Sequence, residues 1–296
     1  MMHRPFVGRL LRLMVWAAGS LCATVLADTL DNIQRRGELV VGVKRDVPLW
    51  GQLDVASGRI VGLEPDLAGD LAARLGVRLR LVGLLSAERQ EALEQRRVDL
   101  LLATLSDTPE RRKRMAMVLP HYYASGVNIL ARRQWSFREW GDLRNRRVCG
   151  RRGAYYNRAM TVNAGMDLVP LYDNARALAA LRDGRCDAVL YDDTNIIAML
   201  QESHWSNEFE MPLKTELVVP WAIGVHLEDT GSRLAQAVSQ AVIDWHRTGR
   251  IVELERKWGI PASDYAQRKM ASWRRRSPGG FVCGVAVGPA TPEECL

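Results

Sequence analysis

The chain has 296 residues, of which 47% are hydrophobic and 25% charged, a composition typical of a soluble globular protein and enough for one large domain or two ordinary ones. The net charge of +7 comes from 41 basic residues, all but five of them arginine. Apart from Arg274-Arg275-Arg276 these form no concentrated face with interleaved aromatics, so the charge does not make a case for a nucleic-acid partner.

Residues 1–27 read as a secretory signal peptide. "MMHRPFVGRLLR" carries Arg4, Arg9 and Arg12 without an acid, and the apolar "LMVWAAGSLCATVLA" is too short to span a bilayer comfortably. Val25 and Ala27 stand at cleavage spacing, so removal before Asp28 and a periplasmic location are expected, with an uncleaved anchor as the alternative. Leu21 makes Cys22 a poor fit for lipid attachment. Four cysteines then remain, Cys149, Cys186, Cys283 and Cys295; their spacing matches no zinc pattern, and no metal or cofactor is expected.

From Leu39 the text alternates between strand-like and helical runs. "ELVVGVK", "VRLRLVG" and "VDLLLAT", the last as a strand buried on both faces, read as strands, separated by the helical "EPDLAGDLAARLG" and "AERQEALEQRR". The β-α-β-α-β order predicts a parallel sheet covered by helices. The order then repeats: "GVNILARR", "RRVCGRRG", "DLVPLYD" and "CDAVLYD" as strands, "AYYNRAMTVNAG", "NARALAALRDG" and "DTNIIAMLQES" as helices. "SRLAQAVSQAVIDWHRTG" places Leu234, Val238, Ala241, Val242 and Trp245 on one helical face, and "RIVELERKWGI" makes a short final helix. Two similar units predict two lobes, with extended crossings near residues 125–132 and 216–225. The first lobe takes residues 28–130 and 223–265 and the second 131–222; beyond Tyr265 the period is lost, so 266–296 reads as a disordered or loosely attached tail.

In open parallel sheets, ligands sit outside the carboxyl ends of the strands. "TLSDTPER" lies there in the first unit: Thr104 and Ser106 can donate hydrogen bonds and Arg111 can grip a carboxylate with two prongs. "VLYDD" occupies the corresponding place in the second, where Asp192 can accept from an ammonium group. One lobe for the carboxylate and one for the amine describe an α-amino acid. Taken singly, Thr104 and Ser106 also fit ordinary turn chemistry, and Asp192 or Asp193 a helix cap.

"GELVVGVKRDVPLW", "GRIVGLEPDLAGDLAARLGV", "VDLLLATLSDTPERR", "DGRCDAVLYDD" and "GRIVELERKWGI" stand in an order that resembles the periplasmic amino-acid-binding proteins of ABC importers, over about residues 36 to 262. The resemblance implies an α/β, two-lobed periplasmic-binding-protein fold of type II, two parallel-sheet lobes joined by two hinge strands that close on an amino acid and deliver it to a membrane permease. A monomer and no catalysis are implied with it. Within the family the glutamate/aspartate-binding group is the most similar: Ser86 and Arg89 fall where that group contacts the acidic ligand, and Lys44 or Arg45 near another of its arginines. A histidine of that group falls at Asn174. The group's cysteines in two strands imply a Cys149–Cys186 disulfide; Cys283 and Cys295 could pair within the tail. Arg89 also fits a solvated helix face, and Trp50 fits either a cleft wall or core packing. The family's usual Gly-Thr-Thr is replaced by "GAYYN", which leaves Ala154 only its backbone N–H, and His121 intrudes in "VLPHYY". Two other readings stay open on this fold, a ligand sensor for a membrane partner and a dehydratase-type enzyme, for which His121, Glu64 and Asp192 are the nameable acids and bases.

Overall fold

The computed structural model describes residues 28–276 and Gly280; the expected signal peptide, Cys22, Cys283 and Cys295 lie outside the described residues. The first lobe opens with α1 (Thr29–Arg36), β1 (Glu38–Lys44), β2 (Asp46–Val47), β3 (Gly51–Asp54), β4 (Arg59–Val61), α2 (Leu63–Arg74), β5 (Arg78–Leu84), α3 (Arg89–Glu94), β6 (Leu100–Leu101) and α4 (Pro109–Arg112). The 18-residue β7 (Met115–Arg132) leads into the second lobe. There follow β8 (Arg147–Arg151), α5 (Asn157–Ala164), β9 (Asp167–Leu171), α6 (Asn174–Arg182), β10 (Ala188–Asp192), α7 (Asp193–Met199), α8 (Ser203–Ser206) and β11 (Phe209–Glu210). β12 (Glu216–His226) returns to the first lobe, completed by α9 (Arg233–Thr248), α10 (Arg250–Trp258) and α11 (Asp264–Arg274).

The α/β, two-lobed fold expected from the alternation is the one found. β1 pairs in parallel with β5 and β6, and β8 in parallel with β9 and β10, so each lobe has its own parallel trio. β7 and β12 run antiparallel between them and join both trios into one sheet, in the order β5-β1-β6-β12-β7-β10-β8-β9. The apolar clusters follow the same division. Two are built from residues up to Tyr123 together with those from Trp221 onward, and two from residues between Val127 and Leu213.

Local chemistry explains the elements. α9 starts where the Ser232 hydroxyl accepts the Ala235 N–H at 3.2 Å and stops at Gly249, whose φ of 84° suits glycine. Its buried face is the expected Leu234, Val238, Ala241, Val242 and Trp245. The disulfide implied by the resemblance is present: Cys149 in β8 bonds Cys186, two residues before β10, with Cα atoms 5.7 Å apart.

Three features differ from the sequence reading. β7 begins at Met115 rather than near residue 125, and Pro120 is accommodated because the β7–β12 register slips between Trp221 and Ile223. Residues 46–61 form a small antiparallel sheet of β2, β3 and β4 where no strands were expected. The tail does not begin at residue 266, because α11 continues to Arg274. Ser263 caps it, Ala266 and Trp273 are buried, and the Trp273 ring stacks on His246 of α9 at 6.5 Å. Arg274 Nε and Nη2 also donate to Arg247 O and Thr248 O, the otherwise open carbonyls at the end of α9.

Candidate functional site

Four strands end on the gap between the lobes, and each delivers one polar group to it: Lys44 from β1, Thr104 just after β6, Arg151 from β8 and Asp192 from β10. The turn after β6 is pinned to β12, since Leu105 O accepts the Ala222 N–H at 2.9 Å and Asp107 N donates to Pro220 O at 2.9 Å. The Thr108 hydroxyl accepts the Arg111 N–H at 3.3 Å and Pro109 occupies the first position of α4, which fixes the direction of Arg111.

On the first-lobe side, Lys44 is fully buried, donates to Ser86 Oγ at 3.0 Å and lies 2.8 Å from Asp46 Oδ1. Burial, aided by the charges of Arg89 and Arg151 and opposed by Asp46, brings its pKa down to about 7. Burial also works on Asp46, but the Lys44 charge and hydrogen bond, with the Arg151 charge, hold its carboxyl below the usual range. Thr104 has φ of 45°, unusual for a β-branched residue. Its N–H donates to Glu64 Oε1 at 2.6 Å, and its hydroxyl is buried without a partner among the described residues. Glu64 also accepts from the Tyr122 hydroxyl at 2.5 Å, and burial pushes its pKa up to about 8, so at neutral pH it is mostly uncharged.

Arg89 is buried, and two of its three nitrogens are engaged within its own lobe. Its Nε donates to Ser86 O at 3.1 Å and its Nη1 to Ala103 O at 2.6 Å and Thr104 O at 2.9 Å. It therefore holds the turn that carries Thr104. Burial and the charges of Arg111 and Arg151 lower its pKa to about 9, which leaves it protonated at neutral pH.

On the second-lobe side, Arg151 Nη2 and Asp192 Oδ2 form a very close ion pair, with side-chain exposures of 4% and 3%. Burial opposes the guanidinium charge, but the Asp192 carboxylate outweighs it and raises the Arg151 pKa. Arg151 Nε and Nη1 are buried with no hydrogen-bond partner among the described residues. The guanidinium carbon lies 5.1 Å from the centre of the Tyr191 ring.

The lobes touch across this gap. Arg111 Nη1 donates to Ser106 O at 2.7 Å in its own lobe, and Nη2 donates to Gly153 O at 3.2 Å in the other. Asn174 Nδ2 donates to Asp46 O and Oδ2, both at 3.0 Å, and the Tyr172 hydroxyl donates to Glu88 Oε1 at 2.9 Å. A Cβ on Gly153 would stand 2.9 Å from Ala87 N, which is why glycine is needed where the two backbones meet. The cavity left beside Ser86, Arg89, Leu105, Arg111 and Gly153 measures about 120 Å³, below the usual size of a ligand pocket.

Of the residues singled out from sequence, Lys44, Ser86, Arg89, Thr104, Ser106, Arg111, Asn174 and Asp192 are gathered around this gap, and three others do not present a group to it. Arg45 is exposed at the rim, 3.4 Å from Glu88. Trp50 is a core residue of the first lobe, edge-on to Tyr123 at 4.6 Å and Trp221 at 4.8 Å. The Ala154 N–H turns back toward Arg151 O at 3.5 Å, inside its own turn. Asp192 is brought to the gap but is already engaged by Arg151, a residue the sequence reading missed although "RVCGR" ends at the same kind of strand terminus as Thr104. Of the acids and bases that catalysis would need, His121 is tied to Asp107 at 2.7 Å, Glu64 to Tyr122 and Asp192 to Arg151, three separate bonding groups.

The profile of the bacterial extracellular solute-binding proteins, family 3, matches residues 39–261. The L-cystine-binding protein TcyJ of Escherichia coli K12 is 25% identical over 232 residues, which cover 77% of this chain and 85% of that protein. The ABC transporter glutamine-binding protein GlnH of Bacillus subtilis is 25% identical over 236 residues, covering 78% and 84%. Among solved structures, holo ArgBP from T. maritima superposes with a TM-score of 0.68 at 26% identity, over 77% of this chain and 99% of that one. The cysteine-binding protein from Campylobacter jejuni, at 23% identity, shares the fold with a TM-score of 0.71 over 78% and 92%.

Proposed function

Because the chain belongs to the bacterial extracellular solute-binding proteins of family 3, we propose that it captures an acidic amino acid between its lobes and delivers it to an ABC transporter permease from outside the cytoplasm. Amino acids are named as the ligands of relatives that match most of the chain, TcyJ and GlnH. The preference for an acidic ligand rests on the balance of charge at the gap. Arg89, Arg111, Arg151 and a Lys44 that is about half protonated at neutral pH converge there, against Asp46 and Asp192, while Glu64 is mostly protonated. A desolvated cleft with that excess favours an anion and repels a cationic side chain.

In this reading Arg111 takes the α-carboxylate with the Thr104 hydroxyl, and Asp192 takes the ammonium. Ser106 shapes the turn, and Asn174 closes the second lobe onto Asp46. Closure follows from contacts that each lobe makes with the ligand only when the two are together. Calorimetric titration of the protein from Asp28 onward tests this. Glutamate or aspartate is expected to bind at least about tenfold more tightly than glutamine, and arginine weakest of the four. Tighter binding of glutamine or arginine contradicts the acidic preference, and no heat with any of them contradicts the amino-acid reading.

A further inference from the structure

We infer that Arg151 is the residue that selects acidic over neutral amino acids, because it holds Asp192 against the ligand's ammonium group and is released only to a second carboxylate. The inference rests on the reading above and adds to it the atom that reads the side chain. Asp192 Oδ2 is occupied by Arg151 Nη2, and both side chains are buried. An ammonium group that docks on Asp192 displaces the guanidinium or shares the carboxylate with it.

Once displaced, Arg151 finds neighbouring hydroxyls such as that of Tyr191 but no second carboxylate free to balance its charge. Asp46 is engaged by Lys44 and Asn174, and Glu64 accepts from Tyr122 and the Thr104 N–H. The nearby Arg89 and Arg111 add only like charge. A neutral ligand therefore leaves a buried guanidinium unpaired. Removing one partner of a buried ion pair typically costs a factor of about 100 or more in an equilibrium constant. The side-chain carboxylate of glutamate or aspartate removes that penalty by pairing with Arg151, whose Nε and Nη1 have no partner among the described residues. Binding is then an exchange of ion pairs: Arg151–Asp192 becomes ammonium–Asp192 and Arg151–carboxylate. Arg89, the residue that sequence placed in this role, has its Nε and Nη1 committed to backbone carbonyls.

The test is calorimetry of the wild type, Arg151→Gln and Arg151→Lys with glutamate and glutamine, with circular dichroism to confirm folding. The wild type is expected to prefer glutamate. Arg151→Gln is expected to lose about 100-fold or more in glutamate affinity and to gain about tenfold for glutamine, because Asp192 is freed. Arg151→Lys, which keeps the charge without the fork, is expected to retain a weaker preference for glutamate. An unchanged glutamate preference in Arg151→Gln, or an equal loss of both ligands in the two variants, overturns the inference and leaves the amino-acid reading intact. A wild-type protein that binds neither ligand overturns that reading and the inference together.

Discussion

Glu64 shows how a single buried carboxyl shapes both the site and the stability of the chain. Its pKa is raised from 4.5 to about 8, with burial as the largest cause, so between those values the folded state holds a proton that the unfolded chain has released. Stability from this group is therefore lost as pH rises from about 4.5 to 8. Glu64→Gln keeps an oxygen for Tyr122 and the Thr104 N–H but cannot ionise. Its stability relative to the wild type is expected to improve by on the order of 2–4 kcal/mol between pH 5 and pH 8, read from urea unfolding curves. A difference that is the same at both pH values would show that Glu64 is ionised in the folded state. At this scale the positions of several residues of the candidate site were legible in the sequence, because strand ends follow a topological rule. Thr104, Ser106, Arg111 and Asp192 were singled out that way and lie at the gap. Arg151 obeys the same rule but was hidden, since in a chain with so many arginines one more carries little signal. That it pairs with Asp192 is a fact of three-dimensional packing that no spacing in the sequence reveals.

Among the elements, β8 and β10 carry Arg151 and Asp192 at their ends and are tied together by Cys149, midway along β8, bonded to Cys186 just before β10. The bridge closes a loop with a sequence separation of 37 residues, for which the chain-entropy treatment gives about 3–4 kcal/mol. Replacing both cysteines with alanine is expected to lower the unfolding free energy by about that much, and a thiol reductant to do the same to the wild type but nothing to the variant. Equal sensitivity of both proteins to the reductant would rule out the bridge as the cause. The elements themselves were largely readable: the β-α-β order, the parallel trios and the amphipathic faces of α2 and α9 follow from period and burial. α11 was not, because its only buried anchors are Ala266 and Trp273, one on each side of a charged stretch. Two apolar residues seven apart do not establish a period, and the helix is held by tertiary partners, His246 and the carbonyls ending α9. The β2-β3-β4 sheet escaped for a similar reason, since strands of two to four residues leave no alternation to count.

For the whole molecule, what matters is that two strands, β7 and β12, pass through both lobes and that polar contacts span the gap they hinge. Asp46–Asn174, Arg111–Gly153 O and Glu88–Tyr172 are bonds between groups that opening of the gap would separate. The two lobes were anticipated from the duplicated order of elements, whereas the residues that meet across the gap were not, apart from Asn174 and Arg111. In the proposed function an acidic amino acid sits between the lobes and exchanges ion pairs with Arg151 and Asp192. A crystal structure of the protein grown with glutamate tests it most directly. The expected result is the α-carboxylate on Arg111, the ammonium on Asp192 and the side-chain carboxylate on Arg151, with the Arg151–Asp192 pair opened. Glutamate bound outside the gap, or bound within it while Arg151 still holds Asp192, would contradict it.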